Sequence, residues 1–252
     1  MKIVISPAKS LDFESQLPTE TYQHATFLEE AASLNSVLKE KTPSDLSALM
    51  SISAKLGDLN WQRNQEWQLP FTPENARQAV FAFKGDVYVG LDAYSLSEDK
   101  LAVLVSKLRI LSGLYGMLHP LDLMQPYRLE MGTKMPIETH KNLYQFWGAK
   151  ITDALNAEMQ AEEVLVNLAS TEYFKAIQPK NLNAPIITPH FKDFKNGKLK
   201  IVSFYAKKAR GMMVRYIVDN NIETIDGLKG FDVGGYAFDT QLSTETDLVF
   251  TR

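Results

Sequence analysis

The chain begins with a strand-like apolar run and then changes to helical spacing. Ile3–Ile5 is a short β-branched run, which predicts a buried strand followed by a loop. From Thr19 onward, apolar residues recur every three or four positions, so we predict a helix that ends before Pro43. The apolar positions of this helix are Phe27, Ala31, Leu34 and Leu38.

Residues 44–67 are predicted to form two helices joined by a tight turn. Ser44 is the expected cap of the first helix, Gly57 ends it, and Asp58 caps the second. In helix-hairpin-helix modules the backbone N–H groups of such a turn bind a DNA phosphate, and Lys55 and Arg63 would assist here. Those modules usually carry a pair of glycines in the turn, whereas this turn has one, so a plain helical hairpin is the alternative.

In the middle of the chain we predict a strand at 79–83 and helices over 97–108 and 142–159. Between the two helices, residues 112–132 are rich in Gly and Pro but too apolar for a disordered linker. We interpret this stretch as an ordered loop that lines a site, since binding residues are concentrated in such loops.

The carboxyl-terminal third combines short strands with one helix over 205–219. Asn196-Gly197 is a strong hairpin signal between two of the predicted strands. The predicted strands are 164–168, 186–194, 199–204, 236–238 and 248–250. Because strands and helices interleave irregularly, we predict a mixed α/β (α+β) fold: one domain over 1–252 with a central sheet, surrounding helices and the helix-hairpin-helix element.

Composition narrows the possible functions. The chain has 252 residues, of which 45% are hydrophobic, so it can bury a core without covalent staples. It has no cysteine, which excludes disulfides, iron–sulfur clusters and cysteine zinc sites, and its four histidines lack ligand spacing, so we expect no metal and no cofactor. The first apolar run is too short for a signal peptide and no run approaches a membrane span, so we expect a cytoplasmic monomer.

Charge is concentrated in one segment. Residues 192–216 hold eight Lys or Arg and one acid, a net charge of +7, whereas the whole chain carries −3 and the remainder therefore −10. Within it, Lys207, Lys208, Arg210 and Arg215 lie on the predicted helix, and Gly211 would allow close approach of a ligand. We expect an anion-binding surface for phosphate; the alternative is a solvated helix face.

Two other patterns resemble catalytic motifs. Ser6 and Lys9 have the spacing of a Ser-x-x-Lys nucleophile pair, but they follow a strand and Pro7 occupies the second position, so Lys9 is better explained as an anion ligand. Six acids are scattered along the chain as candidate general bases or magnesium ligands, with surface ion pairs as the alternative, and the sequence does not bring them together. They are Asp12, Asp86, Asp92, Asp122, Glu130 and Glu172.

Six stretches together resemble the bacterial YaaA family of peroxide-stress proteins, in the same order and over essentially the whole chain. These stretches are SPAKSLDF (6–13), AFKGDVYVGL (82–91), LSGLYGMLHPLDLMQPYRLEMG (111–132), LYQFWG (143–148), NLASTEYFK (167–175) and FYAKKARGMMVRY (204–216). The resemblance implies a cytoplasmic protein that limits peroxide damage, lowers free iron and binds duplex DNA through a positively charged cleft. By motif, the cleft would draw on Lys9, Lys84, Arg128, Lys175, Lys207, Lys208 and Arg210.

Two functions therefore stay open. The first is a DNA-binding protein of the peroxide response that holds duplex or distorted DNA with little sequence preference. The second is an enzyme acting on DNA or a nucleotide, in which Lys207, crowded by Lys208 and Arg210, would attack an abasic sugar as a free amine, as glycosylase/lyases do.

Overall fold

The protein is described by a computed structural model that covers all 252 residues. The strands are β1 (Lys2–Ile5), β2 (Ser10–Leu11), β3 (Gln23–His24), β4 (Arg77–Gln78), β5 (Phe83–Lys84), β6 (Leu108–Ser112), β7 (Gly116–Leu118), β8 (Asp122–Met124), β9 (Leu165–Leu168), β10 (Ile186–Lys195), β11 (Lys198–Lys200), β12 (Ala237–Phe238) and β13 (Asp247–Thr251). The helices are α1 (Leu28–Lys39), α2 (Pro43–Met50), α3 (Ala54–Glu66), α4 (Ala79–Ala82), α5 (Asp86–Leu91), α6 (Glu98–Lys107), α7 (Leu143–Trp147), α8 (Lys150–Glu158), α9 (Thr171–Phe174), α10 (Ser203–Asp219) and α11 (Ile225–Lys229).

A central sheet of eight strands organises the molecule, in the order β12-β13-β10-β9-β1-β6-β7 with β11 paired to β10. The five inner strands are mutually parallel, and the edge pairs β12–β13, β6–β7 and β10–β11 are antiparallel. Ile3, Val4 and Ile5 of β1 are fully buried between β9 and β6, as expected for a β-branched run in a parallel sheet. The predicted mixed α/β class is confirmed.

The first helix is shorter than predicted. It begins at Leu28 rather than at Thr19, and β3 in the preceding segment pairs with β8 instead. The cause is visible in the sequence, because no apolar residue before Phe27 falls on the face that Ala31, Leu34 and Leu38 bury. The residues before Phe27 therefore provide no apolar face that a longer helix could bury against the core.

The helix pair α2–α3 exists, but its turn lies elsewhere than predicted. α2 is capped by Thr42 rather than Ser44, and the turn is formed at Ser51, whose backbone is left-handed, with Ser53 capping α3. Gly57 is buried inside α3 and its N–H donates to the Ser53 carbonyl at 2.9 Å, so it neither ends a helix nor offers an N–H to a phosphate. A Cβ at Gly57 would lie 2.1 Å from Ser47 Oγ, which shows that this glycine lets α3 pack against α2.

Three other boundaries differ from the predictions. Residues 79–82 form the single helical turn α4 rather than a strand, and because all four are buried, periodicity carries no signal there. The predicted helix over 142–159 is broken into α7 and α8 at Gly148, whose φ is +47°. The predicted helix at 97–108 ends at Lys107, and Leu108 begins β6.

The remaining predictions agree more closely with the structure. The hairpin at Asn196-Gly197 is confirmed as β10–β11, although β11 ends at Lys200 and α10 begins at Ser203. The stretch 112–132 is ordered and holds β7 and β8. No helix is both long enough and apolar enough to cross a membrane.

Two glycines allow α5 and α10 to cross in close contact. A Cβ at Gly211 of α10 would lie 1.8 Å from the Val87 carbonyl oxygen, and one at Gly90 of α5 would lie 2.1 Å from the Lys208 carbonyl oxygen. Gly211 therefore faces α5 and not a ligand, which corrects the role predicted for it. The crossing fixes α10 next to β5 and α5, and this placement builds the site described below.

Candidate functional site

A cleft of about 430 Å³ lies at the carboxyl ends of the adjacent parallel strands β1 and β9. Ser6 follows β1 and Ser170 follows β9, and both line the cleft. The other walls come from β5 and the start of α5, from residues 127–130, from α9 and from the middle of α10. Ligands of open α/β sheets bind in this position, outside the carboxyl ends of the strands.

One wall of the cleft carries cations that have no acidic partner. Lys84 lies in β5, while Lys207 and Arg210 lie one turn apart on α10. None of the three forms an ion pair, and the half-buried Arg210 donates no hydrogen bond to the protein. Burial lowers the pKa of the Arg210 guanidinium, because removal from water disfavours the charged form.

A second group of cations is already paired. Lys9 Nζ lies 2.9 Å from Glu130 Oε2, and Arg128 donates to Glu130 Oε1 at 3.1 Å. The Arg128 Nε is buried and has no hydrogen-bond partner. One carboxylate therefore holds two cations at the rim, and each cation keeps donors free for another acceptor.

Carboxylates line the same cleft. Glu172 of α9 accepts a hydrogen bond from the Gly132 N–H at 2.9 Å, which ties α9 to the 127–132 segment. Asp86 stands in the first turn of α5, beside Lys84. The cleft therefore contains three acids, Asp86, Glu130 and Glu172, among five cations.

Hydroxyl groups form the floor. The Ser170 N–H donates to Ser6 Oγ at 2.8 Å, and the Tyr88 hydroxyl donates to the Ser6 carbonyl at 3.2 Å. Burial raises the pKa of the phenols of Tyr88, Tyr127 and Tyr173, so these tyrosines stay neutral and act as hydrogen-bonding or apolar surface.

Comparison with known proteins identifies the family. The model of the family described as peroxide stress protein YaaA matches residues 1–242. The chain belongs to the YaaA family. Its sequence is 65% identical to a UPF0246 protein of Flavobacterium johnsoniae and 60% identical to one of Flavobacterium psychrophilum, each over all of both chains. It is 56% identical to a UPF0246 protein of Aliivibrio fischeri over all of this chain and 98% of that one. Membership in the YaaA family supports a role in peroxide stress.

The structure brings together half of the residues that the YaaA resemblance and the charge pattern had indicated. The predicted binding residues that line the cleft are Lys9, Lys84, Arg128, Lys207 and Arg210. They come from distant parts of the chain, namely the loop after β1, strand β5, the 127–130 segment and α10, which together form the walls of the cleft. Convergence of these cations is the geometric condition for a shared anion site.

The other predicted residues lie outside the cleft of this YaaA-family chain. Lys175 follows α9 and its Nζ stands 5.0 Å from the centre of the Tyr144 ring, while Lys208 is exposed on α10 beside α5. Lys55 is exposed in the first turn of α3. Both side chains are exposed, and a role of Lys55 and Lys208 in binding DNA stays a prediction.

Arg215 belongs to a different surface and is neutralised there. Its Nε donates to Asp219 at 2.7 Å, and its Nη1 donates to Ser95 Oγ at 2.7 Å. Asp219 lies four residues further along the same helix, so the pairing fixes Arg215 against the carboxyl-terminal half of α10. Arg215 is therefore not available to an anion in the cleft.

Sequence reasoning missed several groups that line the cleft, namely Ser6 as a floor group, Ser170, Tyr88, Tyr127 and Tyr173. Ser6 and Ser170 could have been found from the sequence, since each is a polar residue just after the apolar run of a predicted strand. The tyrosines carried none, because a buried tyrosine in a core and one at the bottom of a cleft have the same local sequence pattern.

Proposed function

We propose that the cleft binds phosphate groups of DNA with little sequence preference, and that the protein uses this binding in the peroxide response to limit iron- and peroxide-dependent damage. The observation that carries the proposal is the unpaired cationic wall of Lys84, Lys207 and Arg210 in a protein whose net charge is −3. An acidic protein that leaves these three cations without ion pairs presents a local attractive field to polyanions.

Arg210 is the strongest single element of this wall. A half-buried guanidinium without a hydrogen-bond acceptor is unfavourable, because the desolvation of its charge is not offset by a protein partner. A phosphate would supply acceptor oxygens in the forked geometry that arginine prefers. Lys207, one turn earlier on α10, would add a second charged donor to the same phosphate or to its neighbour.

We propose that the lysines of the β10–β11 hairpin, Lys195, Lys198 and Lys200, extend this surface beyond the cleft. β9 pairs with β10 only at Ile186 and Ile187. Beyond these residues, β11 is hydrogen-bonded to the edge of β10 that β9 occupied, and β13 is hydrogen-bonded to the opposite edge. The hairpin therefore projects past the carboxyl end of β9, where the cleft begins. Its lysines form no ion pairs, and Lys195 stands directly opposite Lys198, a like-charge pair that an anion would relieve.

Salt titration of DNA binding tests the proposal. We expect Lys207→Ala and Arg210→Ala each to weaken duplex binding and to reduce the slope of log K against log salt by about 0.9 for each phosphate that the variant no longer binds. Arg215→Ala is the matched control, because it removes a cation that Asp219 already neutralises on the same helix. A wild-type affinity that does not change with salt, or equal effects of all three variants, would contradict the binding of phosphate by the cationic wall.

A second candidate function is a lyase, favoured by the presence of Asp86 in the same cleft as Lys207. The neutral Lys207 amine would add to the C1′ aldehyde of an abasic sugar and, with loss of water, form an imine, while a carboxylate accepts the proton. Borohydride reduces such an imine to a stable amine. Covalent trapping of wild-type protein, but not of Lys207→Ala, on abasic DNA would establish this activity, and absence of an adduct would exclude it.

A further inference from the structure

The two sides of the cleft differ in charge, and this difference limits what it can hold. The side formed by β5 and α10 presents the unpaired Lys84, Lys207 and Arg210. The facing segments, residues 127–130 and α9, present Glu172 without an ion pair, and Glu130 together with the two cations that it pairs, Lys9 and Arg128. A surface that recognises only a phosphate backbone gains nothing from carboxylates, since they repel it.

A single nucleotide matches both sides. Its phosphate is an anion for the cationic wall, and its base and sugar carry N–H and O–H donors that carboxylates accept. We infer that the cleft binds one nucleotide unit, with the phosphate on the β5–α10 wall and the base or sugar donors on Glu172 and Glu130. This inference rests on the phosphate binding proposed above and adds that the bound phosphate belongs to a single nucleotide unit.

The size and floor of the cleft support one unit rather than a duplex. Its volume of about 430 Å³ is near the lower limit of the volumes of pockets that bind small molecules. The neutral tyrosines Tyr88, Tyr127 and Tyr173 give it an aromatic lining, and aromatic side chains are the usual surface against which an unstacked base is held. The nucleotide is either free in solution or turned out of the stack of a bound DNA, and the chemistry of the site is the same for both sources.

Glu172 gives the decisive test, because the two explanations of the cleft predict opposite effects. In Glu172→Gln the amide oxygen can still accept the Gly132 N–H, while the negative charge is lost. If Glu172 accepts hydrogen bonds from a base or sugar, calorimetry should show deoxynucleoside 5′-monophosphates binding about 10- to 100-fold more weakly to the variant. Inorganic phosphate should bind the variant at least as well as the wild type. Tighter binding of both ligands would overturn the inference.

A comparison that needs no variant guards against a change in folding. Wild-type protein should bind at least one monophosphate about 10-fold or more tightly than inorganic phosphate. Equal affinities would show that only the phosphate is recognised and would overturn the inference. Glu245→Gln, at an exposed position without hydrogen bonds or ion pairs, is the control and should change neither affinity.

DNA probes distinguish the two sources and separate this inference from the proposed function. A duplex with one extrahelical nucleotide should bind more tightly than a fully paired duplex of the same length if the unit comes from DNA. Binding of monophosphates without any DNA binding would support the nucleotide site and reject the DNA function. Salt-dependent duplex binding that requires Lys207, without a preference for the extrahelical nucleotide and without monophosphate binding, would do the reverse.

Discussion

At the residue scale, Gly211 determines where the cationic wall stands. Lys207 and Arg210 reach the cleft only because α10 lies directly against α5, and the two helices approach within a distance that no side chain at Gly211 would permit. A methyl group there would meet the Val87 carbonyl at 1.8 Å, and backbone cannot move aside as a flexible side chain can. The position of the site thus depends on a residue that touches no ligand.

Gly211→Ala should therefore lower the free energy of unfolding by about 3 kcal/mol, because the helix pair must separate to admit the methyl group. Gly197→Ala in the β10–β11 turn is the comparison: its φ of +75° costs an alanine about 1 kcal/mol, but no atom lies within 4 Å of the new Cβ. Urea unfolding of both variants measures the difference. Equal losses of stability would contradict the packing role assigned to Gly211.

Single residues also show what the sequence could and could not predict about the site. Arg210 and Arg215 look alike in a charge count, yet one is unpaired in the cleft and the other is neutralised on a different surface. The pairing of Arg215 was readable, since Asp219 stands four residues later on a predicted helix. Pairing of Lys9 with Glu130 was not, because it joins parts of the chain that only the folded sheet brings together.

At the element scale, the start of α2 illustrates how a cap is chosen. The Asp45 N–H donates to the Thr42 hydroxyl, and the Asp45 carboxylate accepts from the Thr42 N–H at 3.0 Å, so each residue satisfies a free group of the other. Pro43 fits the first helical position, where its missing N–H is not needed. Ser44, the cap expected from sequence, lies one residue further on and makes no side-chain hydrogen bond.

Thr42→Ala should cost about 1 kcal/mol of stability, because it leaves the Asp45 N–H without its acceptor. Ser44→Ala should change the stability by no more than a few tenths of a kcal/mol, since an exposed position in a helix favours alanine. Thermal or urea unfolding of the two variants compares them directly. A larger effect of Ser44→Ala would mean that the helix begins where the sequence pattern first placed it.

Element length explains which predictions succeeded. Long or strongly patterned elements, such as β1, α6 and the β10–β11 hairpin, were recognisable from sequence because several residues carry the same signal. The short helices α4, α5, α7 and α9 span four to six residues, too few for a helical period to stand out. Since α5 and α9 both supply cleft residues, two of the elements that build the site were among the least predictable parts of the fold.

At the scale of the whole molecule, strand order decides the composition of the cleft. β1 and β9 are neighbours although more than half of the chain separates them, and only this arrangement places Ser6 beside Ser170. The hydrophobic pattern identifies strands but not their order in the sheet. The sequence alone could therefore list the candidate Lys and Arg residues, but it could not show which of them lie together in the cleft. The charge count nevertheless located α10, which contributes Lys207 and Arg210.

A cluster of charged side chains links β6 of the central sheet to α8 and to β8, which forms a three-stranded sheet with β3 and β4. His119 lies with Nε2 3.0 Å from Glu158 Oε1 and Nδ1 3.3 Å from Asp122 Oδ2, and Arg109 of β6 also donates to Glu158. Burial by itself lowers the pKa of His119, but the hydrogen bonds to Asp122 and Glu158 outweigh it and raise the pKa to about 9. The imidazole is therefore charged at neutral pH and completes the cluster.

This cluster should make the stability of the whole molecule depend on alkaline pH. Because the pKa of His119 is raised from its ordinary value of 6.5 to about 9, its contribution is fully present below pH 6.5 and is lost as the pH rises through 9. We expect the free energy of unfolding to fall by about 2–3 kcal/mol over that interval through this group. His119→Gln should remove that part of the pH dependence, whereas His24→Gln, at an exposed position in β3, should leave it unchanged. Urea unfolding at a series of pH values measures both, and an unaltered alkaline slope in His119→Gln would show that another group is responsible.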